Sequence, residues 1–119
     1  MICDFGDVVV VPFPFVDRPI AKRRPSLVLS SYDFNADNGQ SVLAMITTAS
    51  RSLWPTDLAI VDMRAAGMEH ASLIRWKLFT LPNQLILRAI GKLAGSDRSA
   101  VSAMARRAIA PRTGTPFVI

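Results

Sequence analysis

Two short blocks of the sequence bring together residues that could act on a phosphate group. Lys22-Arg23-Arg24-Pro25 places three cationic side chains before a proline. Proline favours an extended backbone at the preceding residue, so Arg24 could present its planar guanidinium fork to a phosphate. The run Thr47-Thr48-Ala49-Ser50-Arg51 follows an apolar stretch, and its hydroxyls could donate hydrogen bonds to phosphate oxygens. Taken alone, each block also fits a solvated basic loop or ordinary turn capping.

A third block, Arg75-Trp76-Lys77, combines basic and aromatic side chains. In a strand, alternation would place Arg75 and Lys77 on one face and Trp76 on the other. Cations with an aromatic ring suit single-stranded nucleic acid, whose bases stack on such rings. The favoured interpretation of Trp76 is nevertheless a core residue.

Other chemistries are excluded by what the sequence lacks. The chain has one histidine, His70, and one cysteine, Cys3, so neither a two-histidine mechanism nor a disulfide framework is available. It contains no glycine-rich phosphate loop, HExxH, CxxC or GxSxG motif. We interpret His70 as an exposed turn residue without a catalytic role, and Cys3 as a small hydrophobe.

The charge is unevenly distributed along the chain. Residues 1–70 hold 6 basic and 8 acidic side chains (−2), whereas residues 71–119 hold 8 basic and 1 acidic (+7), which gives the net charge of +5. A basic half attracts phosphate backbones or acidic protein partners, although a solvated face without a partner is the alternative. No apolar run reaches the ~18 residues of a membrane span and no basic leader opens the chain. We therefore expect a soluble, cytoplasmic protein that does not contact membranes.

The elements that position these residues follow from short apolar runs separated by turn residues. The length of 119 residues predicts a single domain, 1–119. The pattern predicts a long loop over 15–24, a turn over 33–39 and one helix that Ser96 caps and Pro111 stops. Six strands are predicted, at 7–11, 25–31, 41–49, 57–61, 71–80 and 87–93. Strands in succession without intervening helices favour a mainly β fold: an antiparallel sheet curled into a small barrel, with the C-terminal helix packed on it.

Several of these segments together resemble the MazF/PemK (Kid) toxins of bacterial toxin–antitoxin pairs. Residues 5–11 (FGDVVVV) match the family's opening RGD(I/V) strand, with Phe5 in place of the usual arginine. Residues 22–30 (KRRPSLVLS) match its RPxLV block, and residues 44–48 (AMITT) match the strand ending in IT(S/T). Residues 71–81 and 90–93 match the fifth and closing strands, in order and at the right spacing.

The resemblance implies an SH3-like (CcdB/MazF-like) barrel that forms a homodimer and acts as a metal-independent endoribonuclease on single-stranded RNA, without a cofactor. By position, Arg24 and Thr47 would be the catalytic pair, although Thr48 could take the place of Thr47. The partners implied are the RNA, a cognate antitoxin with an acidic tail, and operator DNA only through that antitoxin. The residues predicted to contact RNA are Lys22, Arg23, Thr48, Ser50, Arg51, Arg75 and Lys77.

The fifth strand departs from the family pattern. Many relatives carry a Glu-Gln or Asp-Gln pair followed by arginine where this chain has Trp76-Lys77 and then Phe79. Two alternatives therefore stay open. One is a catalytically silent paralogue that binds RNA or antitoxin, and the other is a gyrase-poisoning relative on the same fold. The C-terminal segment 114–119 lacks the tryptophan expected of the second alternative.

Overall fold

The computed structural model describes residues 1–13, 22–48 and 54–110 of the chain. Six strands form one sheet in the order β4-β5-β3-β2-β1-β6, and every neighbouring pair is antiparallel. The predicted fold class, a curled antiparallel sheet with a C-terminal helix, is therefore confirmed. The elements are β1 (Asp7–Phe13), β2 (Lys22–Val28), α1 (Tyr32–Asn38), β3 (Gln40–Thr48), β4 (Leu58–Ala59), α2 (Met63–Ala66), β5 (Ser72–Pro82), a 3₁₀ turn (Asn83–Leu85), β6 (Arg88–Lys92) and α3 (Gly95–Ala108).

The two faces of the curled sheet bury two separate apolar clusters. The first lies under α2 and α3 and includes Val8, Leu27, Ala44, Ile46, Ile74, Trp76, Val101 and Met104. The second lies on the other face and includes Cys3, Val9, Val11, Val28, Leu43, Leu81 and Ile86. Because successive strand residues point to opposite faces, the unbroken valine run of β1 supplies both clusters.

β1 runs further than the sequence predicted, and β2 begins earlier. We expected Pro12 to end the first strand, but β1 continues through Pro12 to Phe13. β6 pairs with β1 only as far as Val10, so Pro12 has a neighbouring strand on one side, where proline is tolerated. The prediction of a loop reaching Arg24 is wrong as well, because Lys22 to Arg24 belong to β2. The rest of that predicted loop, 15–21, lies outside the described residues.

Two short helices were not predicted. The segment interpreted as a turn over 33–39 is α1, whose N-cap Ser31 accepts a hydrogen bond from the backbone N–H of Phe34. Inside α1, Asn35 is fully buried and donates its amide to the backbone carbonyl of Cys3, which ties the helix to the N-terminal segment. α2 follows β4 and packs on β6, so it spans the gap between the two edge strands of the sheet.

α3 begins two residues earlier than expected. Ala94 is its N-cap, so Ser96 lies inside the first turn and does not cap the helix. Its buried residues include Val101 and Met104 of the predicted apolar stripe, whereas Ile109 lies beyond the helix and is 61% exposed. None of the helices in the described ranges is long and apolar enough to cross a membrane.

Candidate active site

Arg24 projects from β2 on the face of the sheet that carries the second apolar cluster. It pairs with Val11 of β1, and its guanidinium carbon lies 5.6 Å from the centre of the Phe13 ring. That distance is within the range of a cation–π contact, which leaves the hydrogen-bond donors of the guanidinium available. The residue is exposed, and within the described ranges it forms no ion pair. Among the described residues Arg24 therefore has no partner that neutralises its charge, and its position is set by the strand and by an aromatic ring.

Thr47 and Arg24 share this face because of the strand register. The paired residues of β2 and β3 are Ser26 with Met45, Leu27 with Ala44 and Val28 with Leu43. The same register continued by two residues places Arg24 opposite Thr47, and directly opposite residues in an antiparallel pair project on the same side of the sheet.

The two threonines at the end of β3 differ in environment. Thr47 is half-buried, and its hydroxyl lies 3.5 Å from the backbone carbonyl of Thr48, at the limit of a hydrogen bond. That contact is weak, so the hydroxyl can turn toward a better acceptor. Thr48 is exposed and, by alternation, points away from the face that carries Arg24.

A second cation on the same face is fixed rigidly. Arg75 donates from Nε and Nη2 to the two carboxylate oxygens of Asp57, at 3.1 and 2.8 Å. The side chain of Asp57 is fully buried and also accepts from the backbone N–H of Trp54 at 3.1 Å. Arg75 in turn lies 5.6 Å from the centre of the Trp54 ring, which is 39% exposed. Its hydrogen bonds to Asp57 raise the pKa of Arg75, so the guanidinium stays charged.

Arg75 lies on this face because it pairs with Met45 of β3, and the irregular part of β5 begins directly after it. The pairing with β3 shifts between Ala44 and Met45, so that Met45 faces Arg75 while Ala44 faces Leu78. Trp76 lies within this bulge and is buried in the first cluster, which agrees with the favoured interpretation of that residue. The departure from the family pattern at this position therefore lies in the core.

The other predicted RNA-contacting residues are distributed less compactly. Lys22 and Arg23 precede Arg24 on β2 and are exposed, and Lys77 is exposed in the β5 bulge. Ser50 and Arg51 lie outside the described residues. Asp57 and Trp54 were not predicted as site residues, since nothing in the pattern around Asp57 indicates a partner that lies 18 residues further along the chain.

Two residues set aside by the sequence analysis do not join this face. Cys3 is buried, and burial raises the pKa of its thiol, as expected for a small core hydrophobe. His70 is exposed in the turn after α2. Across the described part of the chain, no three histidine, cysteine or acidic side chains are grouped so as to hold a metal ion.

Comparisons with known proteins place this chain in a family. The model of the PemK-like, MazF-like toxins of type II toxin–antitoxin systems matches residues 4–109. The chain therefore belongs to the PemK/MazF toxin family. A comparison with curated proteins found no match.

Solved structures with the same fold include toxins of this family. MazF in a MazE–MazF complex from Deinococcus radiodurans aligns with a TM-score of 0.71 at 16% identity, covering 90% of this chain and 95% of that one. An endoribonuclease in complex with its cognate antitoxin, from a mycobacterial species, aligns with a TM-score of 0.71 at 15% identity over 98% of both chains. Toxin MazF-mt6 of Mycobacterium tuberculosis aligns with a TM-score of 0.68 at 20% identity, covering 85% of this chain and 93% of that one.

Proposed function

We propose that this chain is the toxin of a toxin–antitoxin pair and a metal-independent endoribonuclease that cleaves single-stranded RNA. The observation that supports this most strongly is the antiparallel register of β2 and β3, which, if continued by two residues beyond the pair Ser26–Met45, would bring Arg24 and Thr47 to one face of the sheet. Membership in the PemK/MazF family gives the same reaction class, and the neighbours in the structural comparison include a protein described as an endoribonuclease.

The reaction needs little from the protein because RNA supplies its own nucleophile. The 2′-hydroxyl attacks the adjacent phosphorus, the bond from phosphorus to the 5′-oxygen breaks, and a proton moves from the 2′-oxygen to the leaving oxygen. The products are a 2′,3′-cyclic phosphate and a 5′-hydroxyl. Negative charge develops on the non-bridging oxygens during this exchange, so donors directed at those oxygens accelerate the reaction.

Arg24 and Thr47 would supply those donors. The Arg24 guanidinium offers a charged fork to the phosphate and assists the proton transfer. The Thr47 hydroxyl donates a hydrogen bond to a non-bridging oxygen. Arg75, fixed by Asp57, binds a phosphate further along the strand. Thr47 is assigned this role in preference to Thr48 because only Thr47 shares the face of Arg24.

The partner of this toxin is an antitoxin whose acidic tail covers the basic surface. The charge of +7 in residues 71–119 provides the complementary electrostatics. Two of the neighbours described above are complexes of a toxin with an antitoxin, MazE in one of them. We also propose that this chain forms the homodimer that its resemblance to the family implies.

A pair of isosteric variants tests the site. Valine has the shape of threonine without the hydroxyl, so Thr47→Val should lower the single-turnover cleavage rate by about 100-fold, typical of the loss of one transition-state donor. Thr48→Val, one residue away on the opposite face, is the matched control and should cleave within about twofold of the wild type.

The assay is cleavage of a long single-stranded RNA in EDTA, followed by mapping of the ends. Discrete cuts that leave 5′-hydroxyl ends are the expected result. Equal rates for Thr47→Val and the wild type would overturn the assignment of Thr47. A folded, antitoxin-free protein that makes no cuts would overturn the proposed activity and favour the catalytically silent alternative.

A further inference from the structure

Trp54 lies beside Arg75 and is held there by Asp57. The tryptophan is 39% exposed, and the guanidinium carbon of Arg75 lies 5.6 Å from the centre of its ring. The buried carboxylate of Asp57 accepts from the Arg75 guanidinium at 3.1 and 2.8 Å and from the backbone N–H of Trp54 at 3.1 Å. We call these three residues the Trp54 platform. The reaction described above makes no use of its aromatic ring.

The strand register puts the Trp54 platform next to Thr47, one of the residues proposed to act on the phosphate. Met45 of β3 pairs with Arg75 of β5, and Thr47 pairs with Leu73. Arg75 and Thr47 are therefore diagonal neighbours on one face of two adjacent strands, about 7–8 Å apart. Consecutive nucleotides of a single strand can span a distance of this size. A strand with a phosphate at Thr47 can therefore bring a neighbouring base to the platform.

Two apolar side chains lie between Thr47 and the Trp54 platform. Met45 and Leu73 are the residues paired with Arg75 and Thr47, so all four project on the same face of the sheet. Both apolar residues are half-buried, which leaves part of each side chain accessible. A flat apolar group that follows the strand from Thr47 to the platform would therefore find apolar surface along its path.

The ring of the platform is more accessible than the cation beside it. The Arg75 side chain is 17% exposed, and Asp57 already neutralises much of its charge, so an acidic peptide would gain little from it. The remaining N–H groups of this guanidinium still suit a phosphate oxygen of a bound strand. A nucleobase presents a flat face that stacks on an aromatic ring, whichever base it is. The platform therefore favours a base of single-stranded nucleic acid over an acidic side chain.

We propose that Trp54 stacks on one base of the RNA, at a nucleotide next to the scissile phosphate. The base lies against the exposed part of the indole and beside Met45 and Leu73. The inference rests on the proposed function, because it uses Arg24 and Thr47 to locate the scissile phosphate. It gives a role in substrate binding to Trp54, which the sequence analysis did not select.

The first test measures RNA binding, which needs no cleavage. The probe is a short single-stranded RNA that carries 2′-deoxyribose at the mapped cut site, and its fluorescence anisotropy is followed at several salt concentrations. Trp54→Ala should raise the Kd about tenfold, as expected for the loss of one stacking partner. The slope of log Kd against log salt should stay unchanged, because no phosphate contact is lost.

Two variants serve as controls for this loss of affinity. Trp54→Phe keeps an aromatic ring, so it should bind the probe within about threefold of the wild type. Tyr32→Ala removes an exposed aromatic residue from α1, which leads into the start of β3, whereas Thr47 lies near the other end of that strand. Tyr32→Ala should therefore bind the probe like the wild type.

Tryptophan fluorescence reports the contact directly. The chain has two tryptophans, and Trp76 is buried in the first apolar cluster, so a base can stack only on Trp54. Stacking should quench the emission of the indole. RNA should therefore quench the wild type and Trp76→Phe but not Trp54→Phe, and persistent quenching in Trp54→Phe would overturn the inference. If Trp76→Phe does not fold, the comparison of the wild type with Trp54→Phe is sufficient.

Abasic sites in the probe locate the stacked base. Replacing the nucleotides one at a time should identify one position, next to the cut site, at which the wild type binds more weakly and Trp54→Ala adds nothing further. Such non-additivity is the signature of a direct contact. If the two effects add at every position, no base stacks on Trp54 and the inference is wrong.

The outcomes separate this inference from the proposed function. If the wild type cleaves RNA while Trp54→Ala binds the probe like the Tyr32→Ala control, Trp54 is not a stacking site, although the activity stands. If Trp54→Ala changes the salt slope as much as Arg75→Gln does, Trp54 acts only by holding Arg75 and the inference is wrong. If the wild type makes no cuts, unmodified RNA serves as the probe, and the same losses of affinity and quenching support the platform while the proposed activity fails.

Discussion

Asp97 connects helix α3 to the segment that leads into α2. The residue is 4% exposed, and its two carboxylate oxygens accept from the backbone N–H groups of Val61 and Asp62, at 3.1 and 2.9 Å. Asp62 is in turn the N-cap of α2 and accepts from the N–H of Ala65. We expect Asp97→Ala to destabilise the protein and to loosen α2.

The size of the effect follows from these contacts. A hydrogen bond to a charged group contributes about 1.5–3 kcal/mol, but Val61 is 80% exposed, so water can replace part of what is lost. The acidic charge in the first turn of α3 adds about 0.5 kcal/mol through the helix dipole. We expect a loss of about 2–3 kcal/mol in the free energy of unfolding. For 119 residues the unfolding entropy is about 250 cal/mol/K, so the melting temperature should fall by about 8–12 °C.

Thermal unfolding followed by circular dichroism measures this shift. Asp33→Ala is the matched control, because Asp33 is also an acid in the first turn of a helix but is exposed. Its loss should lower the melting temperature by only about 2 °C, the part due to the helix dipole. An Asp97→Ala protein that melts together with Asp33→Ala would refute the reasoning, since the two backbone contacts would then contribute nothing.

Three further predictions follow from other contacts. Asp57→Ala removes a negative charge from the face of Arg75, yet we expect weaker binding of single-stranded RNA in fluorescence anisotropy, because Arg75 loses its fixed position; tighter binding would contradict this. Asn35→Ala should lower the free energy of unfolding by about 3 kcal/mol in urea titrations, because this buried amide donates to two backbone carbonyls; an unchanged midpoint would contradict this. Backbone hydrogen bonds lower the pKa of Asp4 below its ordinary 3.8, so its stabilising effect is present above that pH and is lost as the pH falls further. The difference in melting temperature between the wild type and Asp4→Asn should therefore narrow below pH 3.8, and a constant difference would count against this role.

The six strands could be predicted from the sequence because each is a short apolar run with clear turn residues on both sides. Their exact ends could not, since they depend on neighbouring strands. Pro12 is compatible with β1 because β6 pairs with β1 only as far as Val10, so Pro12 has a neighbouring strand on one side only. The sequence does not show which strand lies beside which. The helix α1 could not be predicted either. Its turn-forming residues become helical together with the hydrogen bonds from Asn35 to the backbone carbonyls of Cys3 and Ser30, and the sequence does not show these contacts.

The candidate site also has residues that the sequence singles out and residues that it does not. Arg24 was chosen as a candidate from Pro25 and from the resemblance, and the register between β2 and β3, continued by two residues, puts Thr47 on the same face. Asp57 was not predictable, because its role depends on a contact with Arg75, 18 residues further along the chain. Local pattern identifies the segments that form strands, but it does not identify the residues that meet across the fold.

The most direct test of the account is the cleavage rate of Arg24→Ala on a mapped RNA site in EDTA, beside Arg106→Ala as the control for loss of an exposed arginine. We predict that the wild type and Arg106→Ala cleave at similar rates and leave 5′-hydroxyl ends, whereas Arg24→Ala, with an unchanged melting temperature, is at least ~100-fold slower. Cleavage by Arg24→Ala at the wild-type rate would contradict the assignment of the active site to the face shared by Arg24 and Thr47.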